Sequence, residues 1–165
     1  MNDIIMNMTL HISAAQMLER SHWYGTNLLT IITSASETNG AFSLVKNVMR
    51  KGFEPPLHVH TREDESNLIM KGEILFTVGD KTIHAKAGDY IHLPKNVPHT
   101  FKLLTDTAET LLVITPGGFE EMFIECSRPA LSIELPPLGE KPPKEFFEKI
   151  KNVSETLGTV ILPSL

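Results

Sequence analysis

Two histidines separated by one residue, His58 and His60, are the strongest chemical signal in the sequence. On a β-strand, residues two apart point to the same face, with α-carbons roughly 6.5–7 Å apart. Their imidazole nitrogens can then converge on one metal ion at about 2.0–2.2 Å. Because a His-x-His pair alone does not establish a metal site, the surrounding residues must decide.

Two more residues are placed to join the pair. Glu65 follows His60 across a predicted turn at residues 61–64, so its carboxylate can turn back towards the two rings. His99 comes directly after the turn Pro94–Pro98 and begins another predicted strand. Imidazole and carboxylate donors together suit divalent metals of the first transition row.

These residues depend on a run of short strands that turn residues separate. Many short apolar or alternating runs at spacings near ten residues predict an antiparallel barrel or sandwich between Trp23 and Pro116. The predicted strands are Asn27–Thr33, Phe42–Met49, Asn67–Lys71, Ile74–Val78, Thr82–Ala85, Tyr90–Leu93, Thr100–Leu104 and Thr110–Thr115.

Helical spacing appears outside this region. Apolar residues at helical spacing predict one short helix over Phe119–Cys126 and a second over Lys144–Leu157, which Gly158 can end. A third helix is predicted over Ser13–Arg20, and the proline-rich segment Leu135–Pro143 should be an extended connector. We expect both later helices to pack on the outside of the barrel or against a partner chain.

Length and composition exclude several classes of protein. The 165 residues fit one domain, and a formal net charge of −5 argues against a nucleic-acid partner. A single cysteine, Cys126, rules out an internal disulfide bond. We expect no membrane span, because no apolar run approaches about 18 residues. The first eight residues lack a basic segment before an apolar core, so we expect no secretory signal and a cytoplasmic protein.

Glycines at fixed distances from the histidines reveal a family resemblance. The pattern Gly52-(x5)-His58-x-His60-(x4)-Glu65-(x6)-Gly72 is similar to the first cupin motif in both glycines and in every spacing. The resemblance continues through the flanking segments and covers most of residues 23–163, where the chain looks like the single-domain cupins called quercetin dioxygenase-like.

A second segment resembles the second cupin motif with two departures. Gly88-(x5)-Pro94-x-Asn96-(x2)-His99 keeps the spacing, but Asn96 stands where glycine is usual. Asparagine tolerates the left-handed backbone that such a turn needs, so this change is mild. Leu103 replaces a frequent terminal asparagine and touches no expected ligand.

The resemblance implies a fold, a domain order and a ligand set. The implied fold is an all-β cupin barrel (a jelly roll, or double-stranded β-helix) with short flanking helices. We expect an N-terminal arm over residues 1–22, the barrel over 23–116 and a C-terminal helical extension packed on it over 117–165. The implied ligands of one divalent metal (Fe, Mn, Ni, Co, Cu or Zn) are His58, His60, Glu65 and His99.

The carboxylate ligand has two rivals. Asp64 would fit a shorter variant of the motif, whereas Glu65 gives the six-residue gap to Gly72, and we favour Glu65. We expect Glu63 to lie in solvent on the turn, where its replacement would scarcely affect metal content.

Other residues have plainer interpretations. By strand parity His92 either reaches the cavity as a hydrogen-bond donor or lies on the surface. Phe76, Phe101 and Ile69 are candidates to line the barrel, and Cys126 is expected to be a core residue of a helix. The remaining histidines, His11, His22 and His84, are expected to serve no metal.

Three functions fit these residues. The resemblance implies a dioxygenase acting on an enolisable or flavonol-like small molecule, with Glu65 as catalytic base and dioxygen as second reactant. The alternatives are a non-redox metal-dependent isomerase or lyase and a non-catalytic binding protein. Lys46, Arg50 and Lys71 lie near strand ends, which disfavours a phosphorylated substrate. Cupins of this kind are often dimers, and we expect a homodimer.

Overall fold

Alternating burial along the strands builds two facing antiparallel sheets. The computed structural model describes residues 11–139 and 142–163. Its strands are β1 Ser21–Tyr24, β2 Asn27–Thr33, β3 Ser43–Arg50, β4 His58–His60, β5 Asp64–Lys71, β6 Glu73–Val78, β7 Lys81–Lys86, β8 Tyr90–Leu93, β9 His99–Leu103, β10 Thr107–Thr115, β11 Arg128–Pro129 and β12 Thr159–Ile161. Its α-helices are α1 Ala14–Glu19, α2 Glu120–Glu125 and α3 Lys144–Thr156.

The strand order is that of a jelly-roll barrel. One sheet has seven strands in the order β11-β1-β2-β3-β10-β5-β8, and the other has five in the order β12-β4-β9-β6-β7. Every pairing among the described strands is antiparallel. The predicted all-β cupin fold with short flanking helices is confirmed.

The core lies between the two sheets in two main clusters. Inward-facing residues of β5, β6, β8 and β9, among them Ile69, Ile74 and Phe76, fill one end of the barrel. The other cluster joins β2, β3 and β10 to α2 and α3 through residues such as Val45, Ile114 and Phe119. The candidate histidines lie on β4 and β9, which are neighbouring strands of the five-stranded sheet.

The eight predicted strands all exist, six of them with shifted ends. The clearest shift is in β5, which begins at Asp64 rather than Asn67 because Glu65 and Asn67 continue the inward alternation of Ile69. Four strands are absent from the eight predicted ranges, because each has only two to four residues and is too short to leave a pattern: β1, β4, β11 and β12. Of these, β4 was expected only through the extended His58-x-His60 pair.

The three predicted helices are confirmed within two residues at each end. Ser13 and Gln16 form a reciprocal capping box at the start of α1. Helix α3 ends just before Gly158, whose φ of 96° requires glycine. Among the described residues no helix combines the length and the apolar character that crossing a bilayer needs.

The C-terminal region takes part in the barrel. Strand β12 pairs with β4 along its whole length, placing Thr159 opposite His60 and Ile161 opposite His58. Side chains of α3, Ile150 among them, line the barrel cavity. Strand β12 of this segment therefore lies beside the histidine pair, whereas α3 packs against the barrel through Ile150 and Val153. The first ten residues of the expected N-terminal arm are outside the described residues.

The two glycines that end β5 and precede β8 provide a matched test of this fold. A Cβ added at Gly72, where φ is 82°, would lie 2.5 Å from the Thr107 carbonyl oxygen, whereas at Gly88, where φ is 96°, it would meet nothing within 4 Å. We expect Gly88→Ala to cost about 1–3 kcal/mol from backbone strain alone. Gly72→Ala should cost a further ~1–3 kcal/mol, because backbone atoms must move. Urea unfolding of both variants measures the difference, and equal losses would contradict the close approach at Gly72.

Candidate metal centre

Three histidine side chains meet inside the barrel. His58 and His60 point inward from β4 because they are two apart, and His99 begins β9 directly opposite His58. All three are buried, and one ring nitrogen from each lies within 4.8 Å of the other two. The structure therefore brings together three of the four predicted metal-binding residues from two neighbouring strands.

The backbone fixes which nitrogen of two rings faces inward. Nδ1 of His58 lies 2.8 Å from the carbonyl oxygen of Pro56, and Nδ1 of His99 lies 2.9 Å from that of Val97. Because a carbonyl oxygen only accepts, each Nδ1 must carry the proton. The lone pair of each neutral ring is then on Nε2, the atom that faces the other rings.

The inward nitrogens of the three rings face mainly one another. Nε2 of His58 lies 3.1 Å from Nε2 of His60, and the buried Nε2 of His99 has no hydrogen-bond partner among the described residues. Two lone pairs at such a distance repel each other unless a cation or a proton lies between them. When the His60 ring is neutral as well, three lone pairs converge and the outer nitrogens are already occupied, which is the arrangement of a metal-binding histidine cluster.

The third ring is held by a carboxylate. Nδ1 of His60 lies 2.6 Å from Oε1 of Glu63 and 3.3 Å from the hydroxyl oxygen of Thr159. Glu63 is only 4% exposed, so our expectation of a solvated turn residue was wrong. The physical reason is that β5 begins at Asp64, which leaves a sharp bend between β4 and β5 that turns Glu63 inward beneath the His60 ring.

Glu65 is the carboxylate nearest the inward nitrogens. Its Oε1 lies 3.7 Å from Nε2 of His60 and its Oε2 lies 3.8 Å from Nε2 of His99. The rival Asp64 faces away and accepts a hydrogen bond from the Lys95 backbone at 2.7 Å. The inward face of β5 thus presents Glu65 to the cluster, at distances longer than direct hydrogen bonds.

Burial and the two carboxylates shift the pKa values of the three histidines in different directions. Burial, together with the neighbouring His99 and His60 rings, lowers the pKa of His58 to about 3. Burial also lowers the pKa of His99, and the nearby Glu65 only partly offsets this. For His60, burial by itself lowers the pKa, but the contacts with Glu63 and Glu65 outweigh it and raise the pKa. Two of the rings are therefore neutral at physiological pH, as metal ligands must be.

An aromatic wall covers the cluster on the side of α2. The Phe119 ring packs edge-on against His60 with ring centroids 4.5 Å apart. Next to it the fully buried Glu120 accepts hydrogen bonds from the backbone of Ala35 at 2.6 Å and of Gly118 at 2.7 Å. Glu120 thereby fixes the loop that positions Phe119. No sequence pattern singles out Phe119 and Glu120, because a Phe-Glu pair is common at the start of amphipathic helices.

The cluster lines a cavity of about 280 Å³ in the barrel. Apolar and aromatic side chains form most of its wall, including Met49, Phe76 and Phe101, and β3, β5 and β10 add Asn47, Asn67 and Thr110. Among the described residues no lysine or arginine lines it. The cavity therefore suits a small, uncharged or aromatic molecule and lacks the cations that a phosphate group needs.

The other residues singled out from the sequence lie in the core, along the cavity wall or on the surface. Phe76 and Phe101 line the cavity and Ile69 is a core residue, whereas His92 points outward and its Nδ1 lies 3.0 Å from the Ser66 hydroxyl oxygen. Cys126 is buried at the end of α2, and burial raises its pKa. His11 is exposed, His22 lies beside the Ser127 hydroxyl group and His84 beside the Glu73 carboxylate. Neither Cys126 nor the other four histidines belong to the cluster.

Comparison with known proteins identifies relatives of the barrel. Residues 46–115 match the family model of the cupin domain. Similar curated proteins are the quercetin 2,3-dioxygenases of Bacillus subtilis (strain 168), 27% identical over 99 residues, and of Aspergillus japonicus, 35% identical over 71 residues. These matches cover 60% and 40% of this chain but only 29% and 20% of the relatives, so the chain spans less than a third of their length.

Solved structures resemble the chain in fold. KdgF from Halomonas sp. superposes with a TM-score of 0.51 at 15% identity, covering 56% of this chain and 81% of that one. A Streptomyces PAC13 variant solved with uridine gives 0.52 at 19% identity, covering 63% and 82%. A further structure of Pac13, which is described as a nucleoside dehydratase, superposes with the same TM-score of 0.52 at 18% identity. At these identities the likeness concerns the barrel and not the reaction.

The histidine cluster predicts metal content directly. We expect about one equivalent of a divalent first-row metal per chain, and His58→Ala or His60→Ala should each lower it sharply because each removes a converging nitrogen. Both should also lower the melting temperature of the metal-loaded protein, since a metal bound to the folded state stabilises it. Elemental analysis after dialysis measures occupancy. His84→Ala is the matched control, as an exposed histidine beside a glutamate, and full occupancy in a His58→Ala, His60→Ala double variant would contradict the site.

Proposed function

We propose that this chain, whose residues 46–115 match the cupin domain, is a metal-dependent oxygenase acting on a flavonol-like or otherwise enolisable small molecule. The observation that carries the proposal is the convergence of three histidine Nε2 atoms at the wall of an apolar cavity. Cupins support many reactions, so the fold alone would not distinguish them.

Charge balance supports a divalent cation at the cluster. Glu63 and Glu65 are both buried, and neither forms an ion pair with a lysine or arginine among the described residues. Buried charges need compensation, because transfer from water to the protein interior is costly. A divalent cation held by His58, His60, His99 and Glu65 would supply two positive charges against these two carboxylates. The donor set is compatible with Fe, Mn, Ni, Co, Cu or Zn and does not by itself select among them.

The cavity determines which substrates can reach the cluster. Its volume of about 280 Å³ is close to the lower end of the roughly 300–1,000 Å³ found for ligand pockets. The rings of Phe76, Phe101 and Phe119 offer flat apolar surfaces to an aromatic substrate. Side-chain amides and hydroxyl groups such as those of Asn67 and Thr110 can orient its polar edge.

Glu65 is the residue placed to move a proton. Its carboxylate faces both the cavity and the inward nitrogens of His60 and His99. A hydroxylated substrate at the cluster would therefore meet a base that takes its proton and leaves an enolate. A bound redox-active cation would act as Lewis acid and exchange electrons with dioxygen. The apolar wall excludes water from the anion so formed.

The role of Glu65 predicts a selective loss of turnover. We expect Glu65→Gln to keep the fold and part of the metal, because three imidazoles remain. Its turnover of quercetin should fall by about 10²–10⁴-fold, the usual contribution of a positioned base. Asp64→Asn removes the same charge one residue away and should leave turnover unchanged. Steady-state rates of both variants, compared at equal metal content, make the measurement. Unchanged turnover in Glu65→Gln would exclude Glu65 as the base.

The requirement for dioxygen separates the proposed oxygenase from its alternatives. We expect quercetin to bind under anaerobic conditions without reacting, because the second reactant is missing. Admission of air should then consume dioxygen together with the substrate, followed with an oxygen electrode and by the flavonol absorbance. Equal turnover without air would indicate a non-redox isomerase or lyase. Binding with no reaction under either condition would indicate a binding protein.

A further inference from the structure

The three inward-facing histidines are held by unlike acceptors. His58 and His99 are anchored by neutral backbone carbonyl oxygens. His60 is anchored by a carboxylate, with its Nδ1 2.6 Å from Oε1 of Glu63. A carboxylate partner makes a shorter and stronger hydrogen bond than a carbonyl group, and it makes the imidazole a stronger electron donor. One ligand of the cluster thus differs electronically from the other two.

The contacts of Glu63 do not compensate the free-energy cost of burying its carboxylate, so stability alone does not explain its burial. The residue is 4% exposed, and its Oε1 lies 2.6 Å from Nδ1 of His60 but has no aligned hydrogen-bond donor among the described residues. Its flanking residues Arg62 and Asp64 are more exposed, so the same bend could have left a carboxylate in water. Burying a carboxylate costs several kcal/mol in general, and a single imidazole compensates it only in part.

We propose that Glu63 is a positioning residue of the metal centre: its carboxylate fixes the His60 ring through Nδ1 and supplies the second buried negative charge that a divalent cation neutralises. This inference rests on the metal site proposed above. Glu63 itself does not touch the metal or the substrate, because His60 stands between them. It acts on the affinity and the electronic character of the site through that ring.

A pair of variants separates this role from a general effect of charge. Glu63→Gln keeps the shape and an acceptor oxygen but removes the charge. Asp64→Asn removes the same charge from the next residue, whose side chain faces away from the cluster and bonds the Lys95 backbone. Cobalt(II) is the probe, because its visible absorption bands report the strength of its ligands. Affinity is measured by competition with a chromophoric chelator.

We expect Glu63→Gln to bind cobalt(II) about 10–100-fold more weakly than the wild type, as loss of a partner behind a ligand usually does. Its visible bands should shift, whereas Asp64→Asn should keep both affinity and spectrum. Glu63→Asp keeps the charge on a shorter side chain and should fall between the wild type and Glu63→Gln. After chelation, the melting temperature of Glu63→Gln should not fall, because a poorly compensated buried charge has gone.

The outcomes distinguish this inference from the proposed function. If the wild type binds no cobalt(II), the metal site and the role of Glu63 both fail. If the wild type binds and Glu63→Gln matches it in affinity and spectrum, the role of Glu63 alone fails. Should Glu63→Gln not fold, Glu63→Asp decides the question: wild-type affinity and spectrum in that variant would overturn the inference.

Discussion

Everything at the cavity depends on keeping residues 58–60 extended. The segment is only three residues long, so it cannot maintain this conformation through its own hydrogen bonds. Neighbouring strands hold it on both sides, β9 through the pairing of His58 with His99 and β12 through the pairing of Thr159 with His60. The turn before β9 adds a third restraint, since the backbone N–H of Asn96 donates to the carbonyl oxygen of His60 at 2.8 Å. The two ring directions follow from this extended backbone.

The cluster has polar groups around its outer ring nitrogens and an apolar cavity around its inner ones, and this difference determines what it can bind. The outer nitrogen of each ring lies beside an acceptor, and two of those acceptors are backbone groups that cannot titrate. The inner nitrogens face an apolar cavity, so little competes with a ligand for their lone pairs. Aromatic packing by Phe119 keeps the His60 ring in place from the other side. Such a site is ordered before any ion arrives, which lowers the entropy lost on binding.

The sequence predicted the parts of this site that obey short spacing rules and failed where a residue is defined by distant neighbours. The His-x-His repeat singled out two of the histidines, and the resemblance to the two cupin motifs added Glu65 and His99. The positive φ of Asn96, 63°, is the backbone expected of a residue standing in for glycine. Glu63 was misjudged because the run Thr61-Arg62-Glu63-Asp64 is hydrophilic throughout, and only the bend before β5 turns one of its members inward. Strand β12 was missed because three residues after a helix carry no period.

The pairing of β12 with β4 also bears on how the protein folds. The contact between Thr159 and His60 joins residues 99 positions apart in the chain, and His99 comes from a third distant segment. Contacts of such separation form late, because the intervening chain must first give up its conformational freedom. The complete ligand set, which includes His99, is therefore assembled only after distant segments have met, unlike the closely spaced ligands of a zinc finger. We expect uptake of the ion to follow closure of the barrel, so that metal availability affects the final state of the protein more than the rate at which it folds.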